Sequence, residues 1–426
     1  MGYPKEIKRA LRTIIFAQCT GVISLALFNN GFMLAYLARL GIPPHAILFL
    51  LSITPLMGML LTLPLAFIAD RNGKKKIGGT GLIIALCGFT LLPLAGFRPA
   101  AAGRWIGIGT LVFAVGLTIN SASWFALLSP IVPAEIRGRY FGWMRTAWQT
   151  ASIVFSLAVA ALLHREPGIL VFQMVLAAAW VFSLIRIFLY RRIPELESGT
   201  PDPRGFFPCL RTVLKIPGYL SFCAYIFLLT LFTGTAPNLF GLLAKGVLSV
   251  TDSQLMILGN LTAAGMIAGF YTGGRLVDRL GTKPVFLSGQ LACSLTLALV
   301  LLRGFIPLPP VLTVALCSFL YGSLLGMLGI AATSEMLAMV PKENKSLSTG
   351  LNVALIGAGL SLSGFGSGQL LKMNVLRPEW LLFGSPMSAY DTLLAGFMVM
   401  TALLVVTLGL VPKINHLRSQ WMPQNR

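Results

Sequence analysis

Two opposite charges lie deeper in apolar sequence than any others in the chain, and they bound the chemistry on offer. Arg145 follows Arg139 by six residues, and Glu335 precedes Pro341 by six. On helices each would sit about 9 Å inside the boundary marked by its neighbour. An ionisable group at that depth is a functional hypothesis by default, with its partner to be named. Arg145 and Glu335 are expected to pair, and Glu335 is a candidate for proton uptake. The blander reading is that each snorkels to the nearer headgroups. Gln149 and Ser152 follow Arg145 at spacings of four and three, so the three form one polar stripe.

A second pair of carboxylates ends two apolar stretches. The first stretch closes in Asp70-Arg71-Asn72-Gly73-Lys74-Lys75-Lys76, the second in Asp278-Arg279-Leu280-Gly281-Thr282-Lys283. A carboxylate in the last turn of a helix faces the negative end of the macrodipole. It needs a compensating arginine or the N-terminus of another helix. Gly73 and Gly281 are expected to supply tight turns. Fixing topology and turn shape is the alternative role for both copies.

Amides form the third group. Asn29-Asn30-Gly31 interrupts one apolar run, and Gly234-Thr235-Ala236-Pro237-Asn238 interrupts another. Amides in hydrocarbon must face protein or water. Paired Gly/Pro interruptions in two halves point to a transporter's binding site; a packing kink is the plain alternative. Asn120 and Trp124 share a helix face, a cavity wall or else packing. Asn352 is a further candidate for the cavity lining.

Other chemistries lack their residues. The three histidines, His45, His164 and His416, are scattered, so no metal-ligand spacing and no Ser/His/Asp or Cys/His arrangement can be built. There is no P-loop, and the glycines from Gly357 to Gly368 lack the strand that a nucleotide fingerprint needs. The chain is read as a non-enzyme without cofactor or metal. Six cysteines without close pairs read as small apolar residues.

The elements that must position these groups are membrane helices. The chain has 426 residues, 56% apolar and 11% charged, against about a quarter charged in a soluble domain. Runs of about 20 apolar residues are membrane spans. Twelve are expected, at 13–38, 45–69, 77–97, 105–132, 140–163, 168–190, 217–244, 252–277, 284–302, 311–340, 347–371 and 389–411. The net charge of +20 does not indicate nucleic acid: 23 of the 33 lysines and arginines fall on one set of loops. That bias is the positive-inside rule, and it places both termini in the cytoplasm. The basic residues can also attract anionic lipid. Met1–Arg12 is basic, but the apolar run after it is too long for a cleavable signal peptide and lacks a cleavage site.

The chain repeats itself. Asp70, Arg71, Gly73 and Lys75 recur as Asp278, Arg279, Gly281 and Lys283, each displaced by 208 residues. The same displacement takes Asn30 to Asn238, Pro133 to Pro341, Glu135 to Glu343 and Gly142 to Gly350. Eight identities at one offset without a gap indicate a duplicated half.

The motif G-x-x-x-D-R-x-G-x-K between the second and third spans of each half resembles the signature of the major facilitator superfamily. Gly274 to Lys283 matches throughout, and the first copy has Ala66 in place of the glycine. With the twelve spans and the repeat, the resemblance covers the whole chain. It implies an all-α membrane protein: twelve transmembrane helices in two pseudo-twofold related six-helix bundles, rocking about a central cavity. It also implies that the motifs latch the cytoplasmic side. Asp70 would then lie near the start of span 11 (Lys345 to Ser348), and Asp278 near Arg137 and Arg139. Drug/proton antiporters of this superfamily carry a Gly-Pro motif in span 5 and an acid in span 1; this chain has neither. The expected units are residues 1–190, a linker 191–216 with a short surface helix at Leu210–Ile216, residues 217–411, and a tail 412–426.

The resulting expectation is a permease moving a small neutral-polar or anionic organic solute by alternating access. Amides, Trp124 and Arg145 suit such a solute better than a cation. A proton or sodium ion is the candidate coupling partner, and the chain is expected to be a monomer in a bacterial inner membrane. An exporter of amphipathic drugs or lipids and a transporter-like ligand sensor are the alternatives.

Overall fold

The computed structural model describes residues 5–98, 101–128, 131–132, 137–164, 168–196, 206–339 and 345–410. Twelve of the helical segments described are long and apolar enough to cross a membrane, each overlapping an expected span. Their outer faces are apolar, with Phe16, Leu162, Met174, Phe188 and Leu295 all exposed. That pattern suits lipid, which solvates such side chains as well as a protein core does.

Spans 1 and 7 differ from expectation, because each is two helices. Span 1 consists of α1 (Lys5–Asn29) and α2 (Phe32–Arg39). Gly31 between them adopts φ 80°, a left-handed conformation that stops α1 and restarts the chain. Span 7 consists of α9 (Tyr219–Thr233) and α10 (Ala236–Gly246), with Pro237 in the first turn of α10. A proline there sacrifices no helical hydrogen bond.

The remaining spans before the linker are α3 (Pro44–Asn72), α4 (Lys74–Ala95), α5 (Ala102–Leu128), α6 (Arg137–Leu163) and α7 (Ile169–Arg191). The linker carries α8 (Phe206–Leu214), which begins four residues earlier than expected. After α10 come α11 (Asp252–Leu280), α12 (Thr282–Leu301), α13 (Pro310–Met339), α14 (Lys345–Lys372) and α15 (Ala389–Leu410). Helices before α8 pack mainly on one another, and so do those after it. The two sets meet where α3 lies on α14, α6 on α11, and α2 on α10 and α11.

Both motif copies build the same corner. Gly73 has φ 92° and Gly281 has φ 83°, and α4 and α12 begin at the very next residues. Only glycine adopts that backbone without strain. The expected tight turns are present in both halves.

A short antiparallel hairpin was not anticipated. Strands β1 (Glu379–Leu382) and β2 (Ser385–Ser388) pair between α14 and α15 through a two-residue turn with positive φ at Phe383 and Gly384. The hairpin marks the end of the bundle opposite the linker, and the two ends are called here the hairpin side and the linker side.

Candidate functional site: the seam between the two halves

On the hairpin side the halves are sealed. Phe32 to Leu37 of α2 are buried. A Cβ on Gly31 would fall 2.9 Å from the carbonyl oxygen of Leu255, and one on Gly259 would fall 2.5 Å from the carbonyl carbon of Asn30. The break in span 1 therefore rests backbone-on-backbone against α11, an approach that side chains would prevent.

A charge cluster closes the same edge. The Asp252 carboxylate is 0% exposed. It accepts from Arg39 Nε at 2.6 Å and from Lys245 Nζ at 2.6 Å, and Lys245 also donates to the Val250 carbonyl. Arg39 belongs to α2 and Asp252 to α11, so the pair joins the two halves. Asp252 also occupies the first turn of α11, behind a capping box formed by Thr251 and Gln254. The positive end of that helix further supports its charge.

About one-third to one-half of the way across, the seam holds polar atoms that the protein does not satisfy. Asn260 is 5% exposed, yet neither its amide nitrogen nor its oxygen has a hydrogen-bond partner. The same is true of Asn30 Nδ2, Thr54 Oγ1 and Ser156 Oγ. Counted along their own helices from the hairpin side, these residues lie about 10–15 Å deep. They come from spans 1, 2, 5 and 8, the elements that face one another across the seam. Asn352, buried with Nδ2 unpartnered, lies closer to the linker side on α14. Buried polar atoms are normally paired, so these groups keep unused hydrogen-bonding capacity.

Other candidates fall differently. Asn238 is half-buried, Asn29 is exposed and Gln149 is half-buried. Asn120 is taken up inside the first half: its oxygen accepts from Arg186 Nη2 at 2.8 Å, and its nitrogen donates to the Gly78 carbonyl at 3.2 Å. Trp124 is buried and stacks on Tyr190, with ring centroids 6.0 Å apart. Both take the packing alternative to a cavity wall, although Trp124 Nε1 is itself left without a hydrogen-bond partner. The reason is Arg186, a buried guanidinium on α7 with no carboxylate partner among the described residues. It draws the amide of Asn120 to itself, and Gly21 leaves room for it.

The expected Arg145–Glu335 pair is not formed. Arg145 is exposed on α6 and lies over the ring of Phe270, 5.8 Å from its centroid. Phe270 is on α11, so this cation–π contact also crosses the seam. Glu335 is buried and accepts from Thr282 Oγ1 at 2.5 Å. Thr282 directly follows Gly281, so the acid braces the second motif corner from within its own half. The side chains of Asp70, Arg71, Arg137, Arg139 and Asp278 lie outside the described residues; Arg279 is exposed.

Sequence reasoning missed Asn260 and the Arg39–Asp252–Lys245 cluster. Asn260 was an isolated amide without a repeat partner to draw attention to it. The Thr251–Gln254 capping pattern was legible, but nothing in it said that Asp252 would be covered.

A sequence model of the Major Facilitator Superfamily matches residues 16–364. The chain belongs to the major facilitator superfamily. Protein PucC of Rhodobacter capsulatus is 23% identical over 387 residues, covering 84% of this chain and 83% of that one. A point mutant of the nucleoside transporter NupG has the same fold, with a TM-score of 0.71 at 16% identity over 95% of this chain and 99% of that one. A POT family transporter in complex with 5-aminolevulinic acid gives a TM-score of 0.74 at 13% identity, over 96% and 97%. The superfamily and the twelve apolar helices make this an integral multi-pass membrane protein with the transporter fold.

Proposed function

We propose that this superfamily member is a permease that moves a small neutral-polar or anionic organic solute by alternating access. The observation that carries the reading is the level of unpartnered buried amide and hydroxyl groups along the seam, with Asn260 at its centre. A solute offering both a donor and an acceptor would satisfy Asn260 through both of its side-chain atoms. Among proteins of the same fold, one transports a nucleoside and another holds 5-aminolevulinic acid, both small polar molecules.

In this reading the conformation described is closed on the hairpin side, and the solute exchanges with the linker side. The linker side is the cytoplasmic one, because the basic loops lie there. The two halves, 1–190 and 217–411, move as bodies about the seam, with 191–216 as their tether. The Arg39–Asp252 pair opens in the alternate state, and both charges regain water at that mouth. Glu335 is the carboxylate placed to couple a proton to the motif corner. The monomer suffices, since the seam is complete within one chain.

Counterflow in proteoliposomes tests this. The panel comprises nucleosides, sugars and polyols, and small carboxylates. Exchange of at least one member, reduced tenfold or more in Asn260→Leu, supports the reading. Binding without exchange would make the protein a sensor, and exchange untouched by Asn260→Leu would move the site elsewhere. Unchanged transport and pH profile in Glu335→Gln would remove proton coupling through that group.

A further inference from the structure

The linker helix α8 has two faces with different fates. Phe206 packs edge-on against Phe67 of α3, with ring centroids 5.5 Å apart at 71°. Val213 is fully buried in the main core cluster, which Ile216 also packs against. The helix therefore rests on both halves at the linker side, touching α14 and α9 as well. Its other face is uncovered. Phe207 is 78% exposed, Leu214 is exposed, and Arg211 and Lys215 stand beside them. Phe207, Pro208, Arg211 and Lys215 line one shallow open groove.

The position of this face decides what covers it. Four residues separate Leu214 from Tyr219, the first residue of a membrane span. Such a segment reaches no more than about 18 Å, so α8 is held at the boundary of the bilayer. A phenylalanine left in water there forgoes most of the stabilisation its burial would contribute. A helix with an aromatic and an aliphatic residue flanked by cations lies in the interface, apolar groups dipped into the acyl boundary. Each cation near an anionic leaflet adds further attraction. Around it on the same side, Lys76, Arg191, Arg192, Arg275 and Arg279 are also exposed. Among the described residues there, these cations outnumber exposed carboxylates such as Glu195.

We propose that the outward face of α8 is a binding site for anionic phospholipid headgroups of the linker-side leaflet, with Phe207 and Leu214 inserted and Arg211 and Lys215 on the phosphates. Because α8 touches both halves, a headgroup bound there stabilises the assembled chain.

The test uses the purified full-length protein in a neutral detergent, with thermal unfolding followed on adding phosphatidylglycerol or phosphatidylcholine. Phosphatidylglycerol is expected to raise the midpoint by about 4 °C more than phosphatidylcholine, a shift of the size given by tight linkage. Each of the single variants Arg211→Gln and Lys215→Gln should lose about half of that difference, and Phe207→Ser a similar share. The pair Arg191→Gln and Arg192→Gln should keep it. Every shift is read against the same variant in phosphatidylcholine, so a variant of lower intrinsic stability still reports. Should a variant not be recovered folded, native mass spectrometry of the others counts bound phosphatidylglycerol, with one fewer lipid expected. Equal shifts for the two lipids, or full retention of the difference in all three α8 variants, would overturn the proposal.

Discussion

The two ends of the seam hold contacts of opposite kinds. On the hairpin side a fully buried carboxylate, Asp252, holds one cation from the other half and one from its own. On the linker side α8 is tied to α3 through a pair of rings, Phe67 and Phe206. The difference bears on reversibility. A buried ion pair gains little net stability, because desolvation nearly offsets attraction. Pulled apart at a wet mouth, both partners recover hydration, so open and closed forms lie close in energy. Separated rings gain nothing from water and favour contact or lipid. The hairpin-side latch is suited to switching, the linker-side contact to tethering.

A third site sharpens the contrast. Arg303 and Asp391 form a buried bidentate pair at 2.5 and 3.0 Å, and Asp391 also accepts from the backbone and hydroxyl of Ser388. Both partners lie after the linker, so this pair shapes one half and spans no gate. Asp391→Asn should lower the stability of the detergent-solubilised protein by about 3–5 kcal/mol, read as a fall in unfolding midpoint. Thiol accessibility of a cysteine placed at Leu255 should not change. Asp252→Asn should do the reverse. It leaves two cations facing a neutral amide, weakens the closed form by about 2–4 kcal/mol, and makes the Leu255→Cys thiol reactive from the hairpin side. If both variants changed only the melting point, the distinction between switch and brace would fail.

Smaller effects discriminate further. Gly31→Ala should cost about 1–2 kcal/mol from its left-handed backbone alone. The added methyl also presses on the Leu255 carbonyl, so the same labelling assay should show partial opening. Phe206→Ala removes one ring pair, about 1 kcal/mol. It should loosen α8, seen as faster amide exchange over 206–214, while leaving hairpin-side labelling unchanged. A Phe206→Ala variant that opened the hairpin side would show that the two ends are coupled more tightly than their chemistry suggests.

Much of the architecture was readable before any coordinates. Each of the twelve spans overlaps its expected place, because a bilayer demands about 20 apolar residues and punctuates them with charge. The motif turns at Gly73 and Gly281 were readable for the same local reason: a glycine between two helices fits the positive φ the corner needs. The breaks at Gly31 and Gly234 were visible as interruptions, but not that each would yield two helices. At Gly31 α11 presses against the backbone of Asn30, whereas at Gly234 the close neighbour is Leu360 of α14.

The site was less legible. Asn120 was chosen for being an amide next to a tryptophan deep in a span, which is true of it and insufficient. Only packing shows that Arg186 claims it. Arg145 and Glu335 were matched by sign and depth, yet depth along two helices says nothing about rotation around them. One faces the ring of Phe270, the other the hydroxyl of Thr282.

What the amino-acid order settled by itself is everything governed by hydropathy and short-range backbone geometry: the number of spans, their duplication, the linker and the glycine corners. The tertiary structure alone decided which polar groups are partnered. Asn260 is an orphan, Asn120 is not, and Asp252 reaches across to Arg39 over 213 positions. The physical reason is that transfer from water to lipid is nearly additive along the chain, whereas a hydrogen bond or ion pair exists only within about 3–4 Å. Residues far apart in sequence meet at that distance only through the packing of whole helices.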